Sequence, residues 1–281
     1  MAVIDPTSAA LVELFLNELP VIPKFAGDNP QKFVFGSTLA PWPNRLEDGR
    51  FSLDSRVFEF KDLDAQNNRN HGLVLNTEFQ VIEQNADSVT LAHRFGAESE
   101  YPFQIELRIS YQLLSDGLKV AAAATNYGDV APFAIGFHPY FLTGPSFEVS
   151  AAFTHRGVSN ERMLPVAVDP IPGLHLAQDS EDLDTLDHCF MGANEVVVMR
   201  PEGGFVIRAL ENLPYFMLYR PSDQIFQEGS ALAIEPMSAP ANIFRNDIES
   251  VLLAAGETKS FSFEIRRLKR EALSRRSRWR R

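Results

Sequence analysis

Apolar and polar side chains alternate strictly through one central stretch of the chain, from Phe103 to Leu113. Alternation with a period of two predicts a β-strand that buries one face and exposes the other. The segment Ser115-Asp116-Gly117 follows and has the composition of a tight turn. We therefore expect Leu118–Asn126 to return as the second arm of a hairpin.

Short apolar segments bounded by turn residues recur along most of the chain, and each predicts a further strand. They are Arg50–Leu53, Val89–Phe95, Glu195–Met199, Phe205–Leu210, Tyr215–Tyr219, Ala231–Pro236 and Phe261–Arg266. Ser8–Leu16, taken alone, is compatible with a short capped helix, and residues 145–192, rich in Pro, Asp and Gly, are predicted to be mostly loop. The pattern as a whole predicts an all-β sandwich or barrel. Without an internal repeat or a linker, residues 1–268 are taken as one domain.

Charge is distributed unevenly along the chain. The formal net charge is −11, yet residues 266–281 hold nine of the 26 Lys and Arg and one of the 37 Asp and Glu. The acidic body makes nucleic acid and anionic membranes unexpected partners. The basic tail, residues 269–281, is interpreted as a solvated end.

The sequence also favours a reducing compartment. Cys189 is the only cysteine, which excludes an internal disulfide. No apolar stretch is long enough to span a bilayer, and no basic region followed by an apolar one opens the chain. We therefore expect a cytoplasmic protein.

Motifs of several common enzyme mechanisms are missing from the sequence. There is no Gly-rich phosphate loop, no G-x-S-x-G nucleophile elbow and no His–Cys cluster with metal-ligand spacing. No cofactor or metal is predicted, and the candidate chemistry falls to ionisable residues at strand ends and in loops.

Two of these residues have ambiguous surroundings. His138 precedes a proline, which holds it in extended backbone among apolar neighbours, so it is either a core histidine or a rigidly presented proton donor. Glu235 closes an apolar strand, so it is either solvated or partly desolvated. Desolvation raises the pKa of a carboxyl group, which suits a general base.

Five segments of the chain, in order, resemble the aldose 1-epimerase (galactose mutarotase-like) family. They are Ala40-Pro41-Trp42-Pro43-Asn44-Arg45 with Gly49; Asn70-His71-Gly72; Gly136-Phe137-His138-Pro139-Tyr140-Phe141; Leu186-Asp187-His188-Cys189-Phe190; and Glu235-Pro236 with Pro240 and Asn242. The resemblance covers most of the chain and implies a large antiparallel β-sandwich that binds a free sugar in a groove on one sheet. It also implies that Ser8–Leu16 is a strand, and that a strand before it is missing.

By position, the resemblance implies roles for five residues. His138 would be the general acid and Glu235 the general base, while Arg45, His71 and Asp187 would bind substrate. The base would take the proton of the anomeric hydroxyl while the acid protonates the ring oxygen, so that the ring opens and closes as the other anomer. We therefore expect the imidazole and the carboxylate to face each other across a pyranose-sized hollow.

Other interpretations stay open at this point. Trp42 and Tyr140 either stack on the sugar or pack in the core. A non-catalytic sugar-binding module, a sugar-phosphate or sulfosugar epimerase, and a glycoside hydrolase using Asp187 with Glu235 are the rival functions. The expected partner is a small aldose, and the protein is expected to be a monomer or a homodimer.

Overall fold

The structure is a computed structural model that describes residues 1–27, 30–96, 100–221, 225–227 and 230–268. The predicted basic tail lies outside these residues. Helical structure in the described ranges is limited to one α-helix, α1 (Ile243–Asn246), and three 3-10 turns at Pro30–Phe33, Leu183–Thr185 and Ile248–Val251. No helix in these ranges has the length and apolar character needed to cross a membrane.

Short strands follow one another along the first half of the chain. They are β1 (Ala2–Asp5), β2 (Ala10–Leu16), β3 (Leu19–Pro20), β4 (Thr38–Leu39), β5 (Arg45–Glu47), β6 (Arg50–Leu53), β7 (Arg56–Glu59), β8 (Asn68–Asn70), β9 (Gln80–Gln84), β10 (Ser88–Arg94), β11 (Ile105–Leu114), β12 (Gly117–Asn126) and β13 (Ala131–Pro132).

The second half continues in the same way. Its strands are β14 (Gly136–Phe137), β15 (Tyr140–Leu142), β16 (Glu148–Ala151), β17 (His155–Ser159), β18 (Pro165–Pro170), β19 (Leu174–Ala177), β20 (Asp187–Met191), β21 (Glu195–Met199), β22 (Phe205–Glu211), β23 (Tyr215–Tyr219), β24 (Ala231–Met237), β25 (Leu252–Leu253) and β26 (Thr258–Arg267).

Two large antiparallel sheets carry most of these strands. Within the described residues, one has the order β19-β16-β21-β22-β26-β12-β11-β10-β9, and the other has the order β18-β17-β20-β23-β24-β14-β4, with β15 also paired to β24. Aromatic rings join the two inner faces: Phe137 lies 5.1 Å from Phe263, and Phe141 lies 5.5 Å from Phe205, between ring centroids. The predicted antiparallel β-sandwich is confirmed.

The hairpin predicted from the alternating stretch is β11–β12. Leu114 pairs with Gly117 across the two-residue turn Ser115-Asp116. The apolar face of β11 is sealed, since Ile105, Leu107 and Ile109 are each at most 1% exposed. Burying such side chains contributes about 1.5–3 kcal/mol each relative to exposure, which explains why the alternation is so regular here.

Ser8–Leu16 does not form a helix. Residues Ala10–Leu16 are strand β2, as the family resemblance implies, and β2 pairs with β1 on one side and β3 on the other. The expectation that a strand before Ser8–Leu16 is missing was wrong, because β1 precedes it. Leu14 is fully buried, and Leu11 and Leu16 are each 2% exposed. Packing of these side chains against the core overrides the local helical propensity.

The prediction that residues 145–192 are mostly loop was wrong, because the segment contains the five strands β16 to β20. Two of them, β18 and β19, are edge strands of the two sheets. An edge strand buries little of itself, and β18 begins and ends with a proline. The alternation that identifies a strand is therefore weak in this part of the sequence.

Gly72 fixes the conformation of the loop that follows strand β8. Both His71 and Gly72 adopt the left-handed region, with φ of 60° and 71°. A Cβ atom at Gly72 would overlap the carbonyl oxygen of Ala40. Glycine is therefore required at position 72 both for its backbone conformation and for the close approach of the Ala40 carbonyl.

We predict that Gly72→Ala lowers the free energy of unfolding by about 2–5 kcal/mol, since left-handed strain and overlap add. The matched control is Gly144→Ala, because Gly144 has a similar φ of 69° but no atom lies within 4 Å of the point that a Cβ atom would occupy. Strain alone should cost that variant about 1–2 kcal/mol. Urea unfolding of both variants measures the difference, and equal losses would contradict the steric account.

Candidate functional site

The register of the second sheet places His138 opposite Glu235. Strand β24 pairs with β14 through Gly136 and Met237, and with β15 through Tyr140 and Ala233. Both pairs belong to one antiparallel register, and in that register His138 lies opposite Glu235. Cross-strand neighbours of this kind present their side chains on the same face of a sheet.

Two prolines interrupt the sheet at this place. Pro139 and Pro236 have no backbone N–H to donate, so neither can complete the hydrogen-bond ladder between their strands. His138 is nevertheless held firmly, since its N–H donates to the carbonyl of Ser37 at 2.9 Å and its carbonyl accepts from the N–H of Gly36 at 3.0 Å. The break gives β14 and β15 separate pairings while keeping His138 in register.

The two side chains of this pair are in direct contact. The Nε2 atom of His138 lies 3.3 Å from Oε1 of Glu235, and the side chains are 6% and 2% exposed. The expectation that they face each other across a hollow was therefore wrong, because cross-strand register makes them neighbours on one wall. Glu235 is also not the end of its strand, which continues through Pro236 to Met237.

The floor of the site continues across the same sheet. Met217 on β23 is opposite Glu235, and Cys189 on β20 is opposite Met217. Two residues further along, Tyr219 is opposite Asp187. Side chains two apart on a strand share a face, so the sheet brings Asp187 to the same floor as Glu235.

The loops after β4 and β8 build a polar wall over this floor. The backbone carbonyl of Asn44 accepts a hydrogen bond from the N–H of His71 at 2.8 Å, and the N–H of Asn44 donates to Nδ1 of His71 at 3.3 Å. The Oδ1 atom of Asn44 accepts from the N–H of Arg45 at 2.8 Å and from its guanidinium at 3.3 Å. Because Nδ1 of His71 accepts a hydrogen bond, its Nε2 carries the hydrogen and can donate.

Helix α1 anchors this wall from behind. The N–H of Asn242 donates to the carbonyl of Arg45 at 2.6 Å, and Oδ1 of Asn242 accepts from the N–H of Glu47 at 3.0 Å. The segment that follows Glu235-Pro236 in the family resemblance therefore supports Arg45 through its backbone.

Wall and floor enclose a cavity of about 280 Å³. That volume lies at the small end of ligand pockets, about 300–1,000 Å³, and suits a monosaccharide. All five residues predicted from the sequence line the cavity: Arg45, His71, His138, Asp187 and Glu235. The fold thus brings together residues that are up to 190 positions apart in the sequence.

The two aromatic candidates differ in their surroundings. Trp42 is 1% exposed and packs between the rings of Phe60 and Phe244, so it belongs to the core. Tyr140 lines the cavity, but its ring stacks on Phe35 at 5.7 Å and its hydroxyl donates to a backbone carbonyl.

Burial governs the proton affinities of the pair. It raises the pKa of Glu235 well above the usual value for a carboxyl group, with the Asp187 charge adding to the effect and Arg45 opposing it. Burial also lowers the pKa of His138 to about 4. Both shifts favour the uncharged forms, a protonated carboxyl group on Glu235 and a neutral imidazole on His138.

The neighbouring groups are shifted by burial as well. The pKa of His71 is lowered well below its usual value by burial and then by His138 and Arg45, so this imidazole is neutral. Burial raises the pKa of Asp187, and the Arg45 guanidinium opposes that shift. Arg45 is thus the fixed positive charge beside two carboxyl groups.

Several buried polar atoms at the cavity have no hydrogen-bond partner in the described part of the chain. They include Oε2 of Glu235 and Oδ1 of Asn70. Buried polar atoms are normally satisfied, so their convergence indicates a polar ligand. Within the described ranges, no three His, Cys, Asp or Glu side chains are grouped to hold a metal ion.

Sequence reasoning did not assign functional roles to some residues of this cavity. Asn44 and Asn70 belong to the recognised segments, but a single asparagine carries no signal that separates a turn from a ligand contact. Tyr219 and Met217 lie in an apolar strand, and only the register of β23 shows that they face the cavity.

Known proteins resemble this chain over almost its whole length. The uncharacterized protein YihR of Escherichia coli strain K12 is 29% identical and covers 94% of this chain and 89% of its own. YphB from the same strain is 27% identical, with coverage of 81% and 82%.

Solved structures share the fold at low identity. The GalM/aldose epimerase homologue from C. elegans has a TM-score of 0.81 at 15% identity, covering 95% of each chain. A galactose mutarotase-like protein from Clostridium acetobutylicum has a TM-score of 0.78 at 18% identity, covering 95% of this chain and 92% of its own. The family model for aldose 1-epimerase matches residues 18–266. Matched over most of its length and folded as these structures are, the chain belongs to the aldose 1-epimerase family.

Proposed function

We propose that the protein is a mutarotase, which interconverts the α and β anomers of a free aldose by acid–base ring opening. The observation that carries this proposal is the buried contact between His138 and Glu235 at 3.3 Å, inside a monosaccharide-sized cavity. One carboxyl group and one imidazole that share a single proton are the groups this reaction requires. His138 is the general acid, Glu235 is the general base, and Arg45, His71 and Asp187 bind the sugar.

The geometry supports different roles for the two carboxylate oxygens of Glu235. Oε1 contacts the imidazole, while Oε2 has no partner among the described residues. We assign to Oε2 the proton of the anomeric hydroxyl. The acid form of His138 then gives its proton to the ring oxygen, the C1–O5 bond breaks, rotation about C1–C2 follows, and closure returns both protons.

Without a bound sugar, burial favours the uncharged arrangement of His138 and Glu235, with the proton on Glu235. Transfer of that proton to His138 across the 3.3 Å contact gives the base and acid forms that the reaction needs. Arg45 assists this transfer because its charge lowers the pKa of Glu235. Either arrangement has one donor and one acceptor, so the pair returns to its starting state after each turnover.

The cavity offers weak support for two of the rival functions. A sugar phosphate would call for a cluster of cations, and Arg45 is the one Lys or Arg among the described residues that line the cavity. The single sulfonate of a sulfosugar could pair with Arg45. A glycoside hydrolase would use Asp187 and Glu235 as its carboxyl pair, and absence of p-nitrophenol release from aryl glycosides would exclude that activity.

We predict that His138→Ala and Glu235→Gln each lower kcat by about 10²–10⁴-fold, the usual worth of a general acid or base. The rate of approach to equilibrium of α-D-glucose and α-D-galactose, followed by polarimetry, measures this loss. The matched control is the exposed pair His175 and Glu148, whose side chains lie 3.9 Å apart away from the cavity. His175→Ala and Glu148→Gln should retain the wild-type rate. A wild-type protein no faster than buffer on any aldose, sulfosugars included, would refute the proposal.

We predict a bell-shaped pH dependence of kcat/KM, because activity requires one proton on the pair. As pH falls through the lowered pKa of His138, about 4, a second proton binds and no acceptor is left. As pH rises through the raised pKa of Glu235, the shared proton is lost and no donor is left. The two limbs belong to the coupled pair rather than to single residues. An acid limb centred near pH 6.5, the usual pKa of histidine, instead of near the lowered pKa of His138 would contradict this assignment.

A further inference from the structure

A second cavity of about 190 Å³ opens beside the sugar cavity, and the two share Asn44, Arg45 and Met217. We call it the apolar cleft and define it by Gly157, Met163, Val168, Cys189, Met191 and Met217. The sheet register explains the continuity, since Met217 and Cys189 stand in the same cross-strand row as Glu235. A molecule seated over Glu235 therefore has a direct path across the sheet into the cleft.

The lining of the cleft is apolar and polarizable. Three methionine side chains and the Cys189 thiol face it, and burial raises the pKa of that thiol to about 12, so it carries no charge. Flexible thioether side chains adapt to ligands of varied shape. An apolar cavity of about 150 Å³ in another protein accepts benzene, so the volume here suits a phenyl or short alkyl group.

Gly157 lines the cleft, but its backbone conformation does not require a glycine. It lies inside strand β17 and is not among the residues with positive φ. A Cβ atom at this position would meet its nearest neighbours, both atoms of Cys189, at 3.4 and 3.6 Å, which is ordinary contact. The strand would tolerate a side chain here, and that side chain would project into the cleft.

The roof of the cleft is preformed. Arg162, next to Met163, donates to Glu47 at 3.2 Å and to Asp48 at 2.7 Å, which ties this loop to the wall of the sugar cavity. On the outer side the cleft reaches edge strand β18, where Val168 is 54% exposed. A ligand thus meets a fixed roof and an opening to solvent, and binding need not order the loop first.

We propose that the apolar cleft is a second subsite, which takes an aliphatic or aromatic substituent carried by the sugar at a carbon other than C1. This inference rests on the proposed function and deepens it, since it assigns the substrate class as reducing sugars with such a substituent. The anomeric hydroxyl must be free because ring opening needs it, so the substituent is an ether or ester on another oxygen.

The test compares D-glucose with its 3-O-, 4-O- and 6-O-benzyl ethers, each of which has a free anomeric centre. Anomer exchange measured by NMR gives kcat/KM for each sugar. We expect wild-type protein to prefer at least one benzyl ether over D-glucose by about 10–100-fold, as burial of a ring of this size would give. Gly157→Val should abolish that preference, and Gly157→Ala, which adds only a methyl group, should reduce it partly.

Val158→Leu is the matched control, because the next residue of the strand does not line the cleft. It should keep the wild-type preference. The proposal fails if wild type shows no preference for any benzyl ether, or if Gly157→Val and Val158→Leu change the preference equally.

Binding separates failure of this proposal from failure of the proposed function. If no sugar is turned over, saturation-transfer NMR still shows whether the phenyl protons of the benzyl ethers contact the protein. The subsite is supported if the phenyl protons of a benzyl ether receive saturation from the wild-type protein and not from Gly157→Val. Phenyl saturation that is absent from wild type, or equal in both proteins, overturns it.

Discussion

The contact between His138 and Glu235 depends on strand register. Strand β24 serves as the template, because β14 and β15 both pair with it in one antiparallel register, and His138 between them lies opposite Glu235 in that register. Shifting β24 by a single residue would turn Glu235 to the other face of the sheet. The contact between His138 and Glu235 is therefore a property of the sandwich as a whole, which fixes the register by burying apolar side chains on both sides.

Burial supplies the chemistry that register alone does not. The same packing that buries the pair raises the pKa of Glu235 and lowers that of His138, so the proton rests on Glu235 and, in the proposed mechanism, must move to His138 before the ring opens. Keeping an ionisable carboxyl group buried beside Asp187 destabilises the fold, and Arg45 offsets part of this effect. Stability is lost at the position where the proposed reaction needs a carboxyl group that can take up and release a proton.

Much of this could be predicted from the sequence. The strict alternation before Leu114 predicts the β11–β12 hairpin, and the five recognised segments predict the sandwich and the residues that line the cavity. The edge strands β18 and β19 were missed because little of them is buried. The contact within the pair was misjudged for another reason: register is a long-range property, and no local pattern shows that residues 138 and 235 occupy one row. The apolar cleft arises in the same way, because the residues that define it come from strands β17, β18, β20 and β23 and from the loop that holds Met163.

A crystal structure with D-galactose or D-glucose bound tests the central claim most directly, because the claim is geometric. The account predicts that the anomeric oxygen lies within hydrogen-bond distance of Oε2 of Glu235 while the ring oxygen lies within hydrogen-bond distance of Nε2 of His138. A sugar that turns its anomeric carbon away from both groups, or that binds outside this cavity, would contradict it.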